Sequence, residues 1–148
     1  MDLREALKYY PHIPGEIARI TKEIRDTMAM KKDTQDTLKA QTMSDMPRGA
    51  GVSDPTLRAV VRSIDRHDLH IQYLARRIAE LYDLKEHLEN LLQGLTVQEA
   101  QVIEEYFFKG YRMVIVQTHL GYAKSQTYRL CESALDKMET AERKEARV

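Results

Sequence analysis

The sequence has little of several residue types that specify a fold or a chemistry by themselves. Its 148 residues include one cysteine, no tryptophan, two phenylalanines, four prolines and six glycines. The single cysteine, Cys131, excludes an internal disulfide and any zinc site built from cysteines. So few prolines and glycines argue against an all-β fold with many turns.

An excess of one charge and long apolar runs are also missing. The 23 basic side chains balance 23 acidic ones, so nucleic-acid binding would have to depend on local charge rather than on total charge. No segment approaches the ~20 uncharged apolar residues of a membrane span. The charged start, MDLREALKYY, differs from the apolar run of a signal peptide. We therefore expect a cytoplasmic protein that binds no membrane.

What remains is the composition of a folded, charge-rich chain. Apolar residues make up 43% and charged residues 31% of it, which argues against disorder. The length fits one domain or two small ones.

Residues 13 to about 40 are predicted to form a helix, because apolar residues recur every three or four positions. These residues are Ile13, Ile17, Ile20, Ile24 and Met28.

Residues 41–53 are predicted to form a loop, since they contain one proline and two glycines. The next helix has a clear start. Asp54 is a residue type that caps helices, and Pro55 suits the first helical position.

That second helix carries a heptad pattern from Leu57 to Leu92. Nine of its eleven core-type positions are apolar, and no glycine or proline interrupts them, which indicates a coiled coil. The positions are Leu57, Val60, Ile64, His67, Ile71, Leu74, Ile78, Leu81, Lys85, Leu88 and Leu92. A helix of this length spans about 55 Å. We expect it to pack along the first helix, the C-terminal domain or a second copy of the chain.

Three shorter helices are predicted after Gly94, which ends the long one. Thr96 and Glu99 form a capping box that opens the first of them. Its apolar side consists of Val102, Ile103, Tyr106 and Phe107. The other two cover residues 112–120 and 123 to about 138. The charged last residues, TAERKEARV, are expected to fray.

The last two of these helices match the layout of a helix-turn-helix. In that layout the second helix enters the major groove and presents side chains near its N-terminus to base edges. Its predicted inner side consists of Thr127, Leu130, Ala134 and Met138. Its predicted outer side consists of Lys124, Ser125, Tyr128, Arg129 and Glu132. The donors and hydroxyls on that outer side suit guanine edges and phosphates.

The charge pattern of this segment is locally basic. No aspartate or glutamate lies between Tyr106 and Cys131, although acidic residues flank the segment on both sides. The segment contains Lys109, Arg112, His119, Lys124 and Arg129. Because a DNA duplex responds to local positive potential, we expect Lys109, Arg112 and His119 to contact the DNA backbone.

Residues 95–138 resemble region four of bacterial sigma factors. The matching residues are Leu95, Thr96, Glu99, Val102, Ile103, Tyr106, Gly110, Val116, Leu120, Gly121, Ala134, Leu135, Lys137 and Met138. Most of the chain is similar to phage transcriptional regulators of the ArpU/RinA type, which join an N-terminal helical region to a sigma-like domain. The runs TMSDMPRG at 42–49 and LGYAKSQTYRL at 120–130 carry that narrower resemblance.

The resemblance implies DNA contacts on the exposed first turns of the recognition helix. The positions that match are Lys124, Ser125, Tyr128 and Arg129. The sequence departs from the sigma pattern at three places. Ala123 stands where serine or threonine usually caps the recognition helix, so we expect that cap to be missing. Gln117 replaces a small alanine, and Thr127 replaces valine or isoleucine.

Other interpretations stay open. Residues 62–77 are superficially similar to the first helix of helical chorismate mutases, but coiled coils produce the same spacing and we expect no enzyme. Small terminase subunits of phages also join a helix-turn-helix to coiled coils and form rings, usually with the DNA-binding module first. The five histidines form no HExxH motif. His67 and His70 are three residues apart, but no acidic or cysteine partner completes a metal site, and no cofactor is predicted.

We therefore predict an all-α protein with two parts. A helical hairpin or coiled coil covers residues 1–93, and a sigma-like helix-turn-helix domain covers residues 94–148. The predicted function is sequence-specific regulation of phage or prophage genes through double-stranded DNA, as an activator by resemblance. The long helix is expected to form a homodimer, to contact host RNA polymerase, or both. Cys131 is expected to be a buried structural thiol.

Overall fold

The computed structural model describes residues 2–42 and 54–147, and both ranges are built from helices. No strand occurs in the chain so described, and the predicted all-α fold is confirmed. Residues 43–53 of the predicted loop lie outside the described residues. The side chain of Asp54, the predicted cap, lies outside them as well.

The helices are bounded as follows. They are α1 (Leu3–Tyr9), α2 (Ile13–Thr42), α3 (Asp54–Leu91), α4 (Val97–Ile103), α5 (Met113–Leu120) and α6 (Lys124–Ala146). A 3-10 turn, Tyr10–His12, joins α1 to α2, and another, Leu92–Gly94, follows α3. A π-helical segment, Glu104–Phe108, continues α4. Helices α2 and α3 lie close to their predicted bounds, whereas α1 was not predicted.

The chain packs into two compact units. Unit 1 combines Met1–Gly15 with Leu81–Val148, and unit 2 is Glu16–Glu80. The first turns of the chain and the end of α3 therefore pack with α4, α5 and α6. The division after residue 93 was predicted for an interaction region and a DNA-binding domain, and it stays a prediction. The packing instead divides the chain after Gly15 and after Glu80.

Unit 2 pairs α2 with α3 through ion pairs beside a narrow apolar seam. Lys31 Nζ lies 2.6 Å from Asp68 Oδ1. Ile20 and Leu74 are buried in the seam. Half-buried side chains extend the seam along α3, at Ile64, His67, Ile71 and Ile78.

The predicted apolar stripe of α2 is wrong at its last position. Met28 is 52% exposed, and Thr27 is buried instead, with 6% exposure. A helix has 3.6 residues per turn, so the stripe continues from Ile24 by three residues rather than by four. The Thr27 hydroxyl donates to the carbonyl oxygen of Glu23 at 2.8 Å, which satisfies the buried polar group.

The core of unit 1 draws on α1, α3, α4, α5, α6 and the π-helical segment. Its buried members are Leu3, Ala6, Leu7, Leu88, Leu91, Val102, Ile103, Phe107, Met113, Val116, Cys131, Ala134, Leu135 and Met138. The predicted apolar side of α4 is confirmed, with Val102 and Ile103 fully buried. Leu7 of α1 is also fully buried, so the N-terminal helix is part of this core.

Tyr10 fixes the turn after α1 to two other elements of unit 1. Its hydroxyl donates to Glu89 Oε1 on α3 at 2.6 Å. Its ring stacks on Phe108 of the π-helical segment, with 3.7 Å between ring centroids. Burial and the neighbouring Glu89 carboxylate raise the pKa of Tyr10 to about 12. The phenol therefore stays protonated, and a donor, at neutral pH.

The predicted end of the last helix near residue 138 is wrong, because α6 continues to Ala146. The expected fraying of the last residues stays a prediction. His87 of α3 meets this part of the helix from both ring nitrogens. Its Nε2 lies 3.2 Å from Glu142 Oε1, and its Nδ1 lies 3.5 Å from Glu145 Oε2. Ala141 packs against the core. These contacts fix the last turns of α6 to the rest of unit 1, although their charged composition predicted that they would be solvated.

Glu99 links the start of α4 to α6. The predicted capping box is confirmed: the Glu99 amide donates to Thr96 Oγ1 at 3.2 Å, and the Thr96 amide donates to Glu99 Oε1 at 3.0 Å. Ser133 Oγ and Lys137 Nζ each donate to this carboxylate at 2.7 Å. Burial opposes ionisation of Glu99, but the hydrogen bonds that its carboxylate accepts from Lys137, Ser133 and Thr96 outweigh it and lower its pKa to about 2.

Replacing Glu99 with glutamine is expected to destabilise unit 1 in a pH-dependent way. At pH 7 the free energy of unfolding should fall by about 1–3 kcal/mol, because the Lys137, Ser133 and Thr96 donors lose a buried, charged acceptor. The carboxyl pKa is lowered on folding, so this stabilisation is complete above the ordinary value of 4.5 and is lost toward about 2. Urea unfolding at pH 7 and at lower pH should show the difference from wild type shrinking as the pH falls.

The matched control is Glu104→Gln, which removes the same charge from an exposed side chain of the adjoining segment. A difference between Glu99→Gln and wild type that stays constant across this pH range would contradict the assigned role of the carboxylate.

Candidate nucleic-acid interface

A tight turn joins α5 to α6. Helix α5 is capped at its C-terminus by Gly121, whose φ of 72° lies in the left-handed region that glycine adopts without strain. The amides of Gly121 and Tyr122 donate to the carbonyl of Gln117 at 2.9 and 3.2 Å. Ala123 then takes an extended conformation and begins α6 without a side-chain cap. The predicted absence of a cap is confirmed.

Helix α6 has the two sides expected from the sequence. Thr127, Ala134 and Met138 are fully buried, Cys131 is 5% exposed, and Leu130 is half-buried. The residues on the opposite side are all exposed; Lys124, Ser125, Tyr128 and Arg129 are here called the α6 surface. The core thus fixes which side chains the first two turns of α6 present to solvent.

The charge on the exposed side of α6 changes one turn further along. Glu132 and Asp136, together with Tyr128 and Arg129, line a shallow depression of about 530 Å³. Glu132 is paired with Arg4 of α1, with Arg4 Nη2 3.1 Å from Glu132 Oε2. The pairing offsets the first acidic charge beside the α6 surface. Sequence reasoning missed Arg4, because no local pattern connects two residues so far apart.

Lys109 and His119 both lie close to the ring of Tyr111. Lys109 Nζ is 6.0 Å from the centre of the Tyr111 ring, a cation–π distance. The His119 ring meets Tyr111 edge-on, with 5.5 Å between centroids. His119 Nδ1 also lies 3.3 Å from Glu105 Oε2. The role of His119 at a phosphate stays a prediction, and this acidic neighbour offsets any positive charge on its ring.

Arg112 is exposed and stands at the N-terminus of α5. No hydrogen bond or ion pair in the described part of the chain connects Arg112, Lys109 or His119 to the α6 surface. The predicted site residues therefore form two groups. One lies on the first turns of α6, and the other lies on the segment leading into and along α5.

Cys131 lies on the inner edge of α6, where a buried thiol was expected. Burial, reinforced by the nearby Glu132 carboxylate, raises its pKa to about 11. The thiol is therefore protonated at neutral pH and is a poor nucleophile or metal ligand.

The described residues contain no group of three His, Cys, Asp or Glu side chains placed to hold a metal ion. Within the same ranges, each helix is too short or too polar to cross a membrane. Comparison with protein-family models, curated proteins and solved structures gave no match to this chain. The assignment of function therefore depends on the chain's own residues and geometry.

Proposed function

We propose that the protein is a sequence-specific DNA-binding regulator of phage or prophage transcription. The observation that carries the proposal is the α6 surface. Two exposed basic residues and two hydroxyl side chains occupy helical turns that are free of acidic residues, and the opposite side of the same turns is buried. The turn at Gly121 sets α5 directly before this helix, as in a helix-turn-helix.

In this proposal α6 enters the major groove with its N-terminal end first. The groove is wide enough for an α-helix, and arginine or lysine donates to the guanine O6 and N7 acceptors. Arg129 and Lys124 supply those donors, while Ser125 and Tyr128 supply hydroxyls for bases or phosphates. Lys109 and Arg112 position the duplex through its phosphates.

The long helix α3 supplies the second part of the proposal. Ile64, Ile71 and Ile78 lie at heptad positions, yet they are only half-buried within one chain. A second copy packed along this seam would bury them further and form a dimer. Activation and a contact to host RNA polymerase in the cytoplasm follow from the sigma-like resemblance and belong to the same proposal.

The proposal is tested by fluorescence anisotropy with labelled promoter fragments of phage and host. Wild-type protein should bind a subset of fragments at low salt and lose affinity as salt rises, because phosphate contacts release counterions. Unlabelled competitor of unrelated sequence should displace the selected fragments poorly. Equal binding to all fragments, or none, would contradict sequence-specific recognition.

Lys109→Ala is expected to weaken binding to every sequence alike. Removing one phosphate contact should lower the slope of log affinity against log salt by about one. The measurement is the anisotropy titration repeated over a salt series. Lys32→Ala removes an equally exposed lysine from α2 and should leave the slope unchanged. A slope that Lys109→Ala does not change would remove this residue from the interface.

A further inference from the structure

Unit 1 contains a cleft apart from the α6 surface. It has a volume of about 470 Å³ and lies between the turn after α1 and the segment that joins α4 to α5. Its principal lining residues are Lys8, His12, Tyr106, Phe107, Tyr111 and Arg112. The volume falls within the range of sites for small ligands, roughly 300–1,000 Å³.

The charge in this cleft has one sign. Lys8, His12 and Arg112 are basic, and no acidic side chain lines the cleft in the described part of the chain. Lys8 and Arg112 form no ion pair with any residue that the structure describes. Cations in a concave site with apolar walls raise the local concentration of anions, so the cleft favours an anionic ligand.

The walls of the cleft are aromatic. Phe107 is 5% exposed and meets Tyr106 edge-on, with 4.8 Å between ring centroids. Tyr111 is 38% exposed on the same cleft. Tyr106 and Phe107 belong to the π-helical segment, and such segments occur often at functional sites. These rings offer the stacked and edge-on contacts that a planar aromatic group prefers.

We propose that this cleft binds a small molecule consisting of a planar aromatic ring with a phosphate or carboxylate group. The anionic group is held by Lys8 and Arg112, and the ring packs against Tyr106 and Tyr111. Two sources supply this chemistry, a nucleoside monophosphate and an aromatic carboxylic acid. The site does not depend on the proposed DNA contacts of α6, and it shares only Arg112 with the proposed phosphate contacts.

The experiment titrates the full-length protein, without DNA, with adenosine monophosphate and separately with indole-3-acetate. Their neutral counterparts, adenosine and indole, are the ligand controls. Binding is followed by two-dimensional amide NMR, and the expected shifts cluster at residues 8–12 and 106–112. Binding by one anion identifies its source, and binding by both defines a site with broad selectivity.

Lys8→Glu is the informative variant, since its side chain is exposed on α1 and lies outside the proposed DNA contacts. It should weaken binding of the anions by about tenfold or more, the equivalent of one charge-assisted contact. Lys22→Glu, the same change at an exposed position of α2, should leave their affinity unchanged.

Three results would overturn the proposal. They are no binding of either anion at millimolar concentration, neutral analogues binding as tightly as the anions, and unchanged affinity in Lys8→Glu. Because the titrations contain no DNA, none of these results bears on the function proposed for α6.

Discussion

Replacing Lys124 and Arg129 together with alanine is expected to abolish selective binding to the cognate DNA site while unit 1 stays folded. Arg129 alone should account for about 1–3 kcal/mol, or about 5- to 150-fold in affinity, if it donates to a guanine edge. Lys124 adds an electrostatic contribution that shrinks as salt rises. Both side chains are exposed, and alanine favours a helix, so circular dichroism should be unchanged.

The matched control removes the same two charges from the other end of the same helix. Arg143→Ala with Lys144→Ala changes exposed residues of the last turns of α6. Anisotropy with the selected fragment should separate the two double variants, with only the first losing selectivity. Wild-type affinity in the Lys124/Arg129 variant would show that the α6 surface is not the DNA contact.

Replacing Leu7 with aspartate is expected to unfold unit 1. The Leu7 side chain is completely buried in the core that α4, α5 and α6 share. An unpaired carboxylate there costs several kcal/mol, which is a large part of the 5–15 kcal/mol typical of a whole domain. Leu7→Ala, which leaves a cavity without a charge, should cost about 2–5 kcal/mol.

Amide hydrogen exchange measures the loss of stability helix by helix. In Leu7→Asp, amides of α4, α5 and α6 should lose protection, although the change lies in α1. Val97→Asp makes a similar replacement at a side chain that is 75% exposed, and its stability should stay within about 0.5 kcal/mol of wild type. Retained protection of α6 in Leu7→Asp would show that α1 is dispensable for this unit.

Features set by neighbouring residues were predictable from the sequence. The capping box at Thr96 and Glu99, the turn at Gly121 and the two sides of α6 all follow from short spacings with a direct physical cause. The bounds of α2 and α3 follow from long periodic runs. Each of these features depends on residues close together in the sequence, so their spacing alone predicts it.

Features set by packing between distant segments were not predictable. Helix α1 has seven residues, too few for periodicity to identify, and its place in the core depends on partners beyond residue 87. The pairing of Arg4 with Glu132 and the cleft beside Lys8 depend on that same placement. The error at the end of the α2 stripe, where Met28 was predicted and Thr27 is buried, has another origin. Spacings of three and of four residues both keep a side chain on one face of a helix, and only packing against a partner helix decides between them.

The discontinuity of unit 1 has a consequence for how the protein is made. Leu3 and Leu7 are translated before the residues of unit 2, yet they share a core with Leu135 and Met138, which are translated after them. Contacts between such distant residues form slowly, because a long loop must close first. The helices of unit 2 are complete before α4 is synthesised. A nascent chain therefore lacks the cleft until residues 106–112 have been translated, and it lacks the α6 surface until α6 has followed.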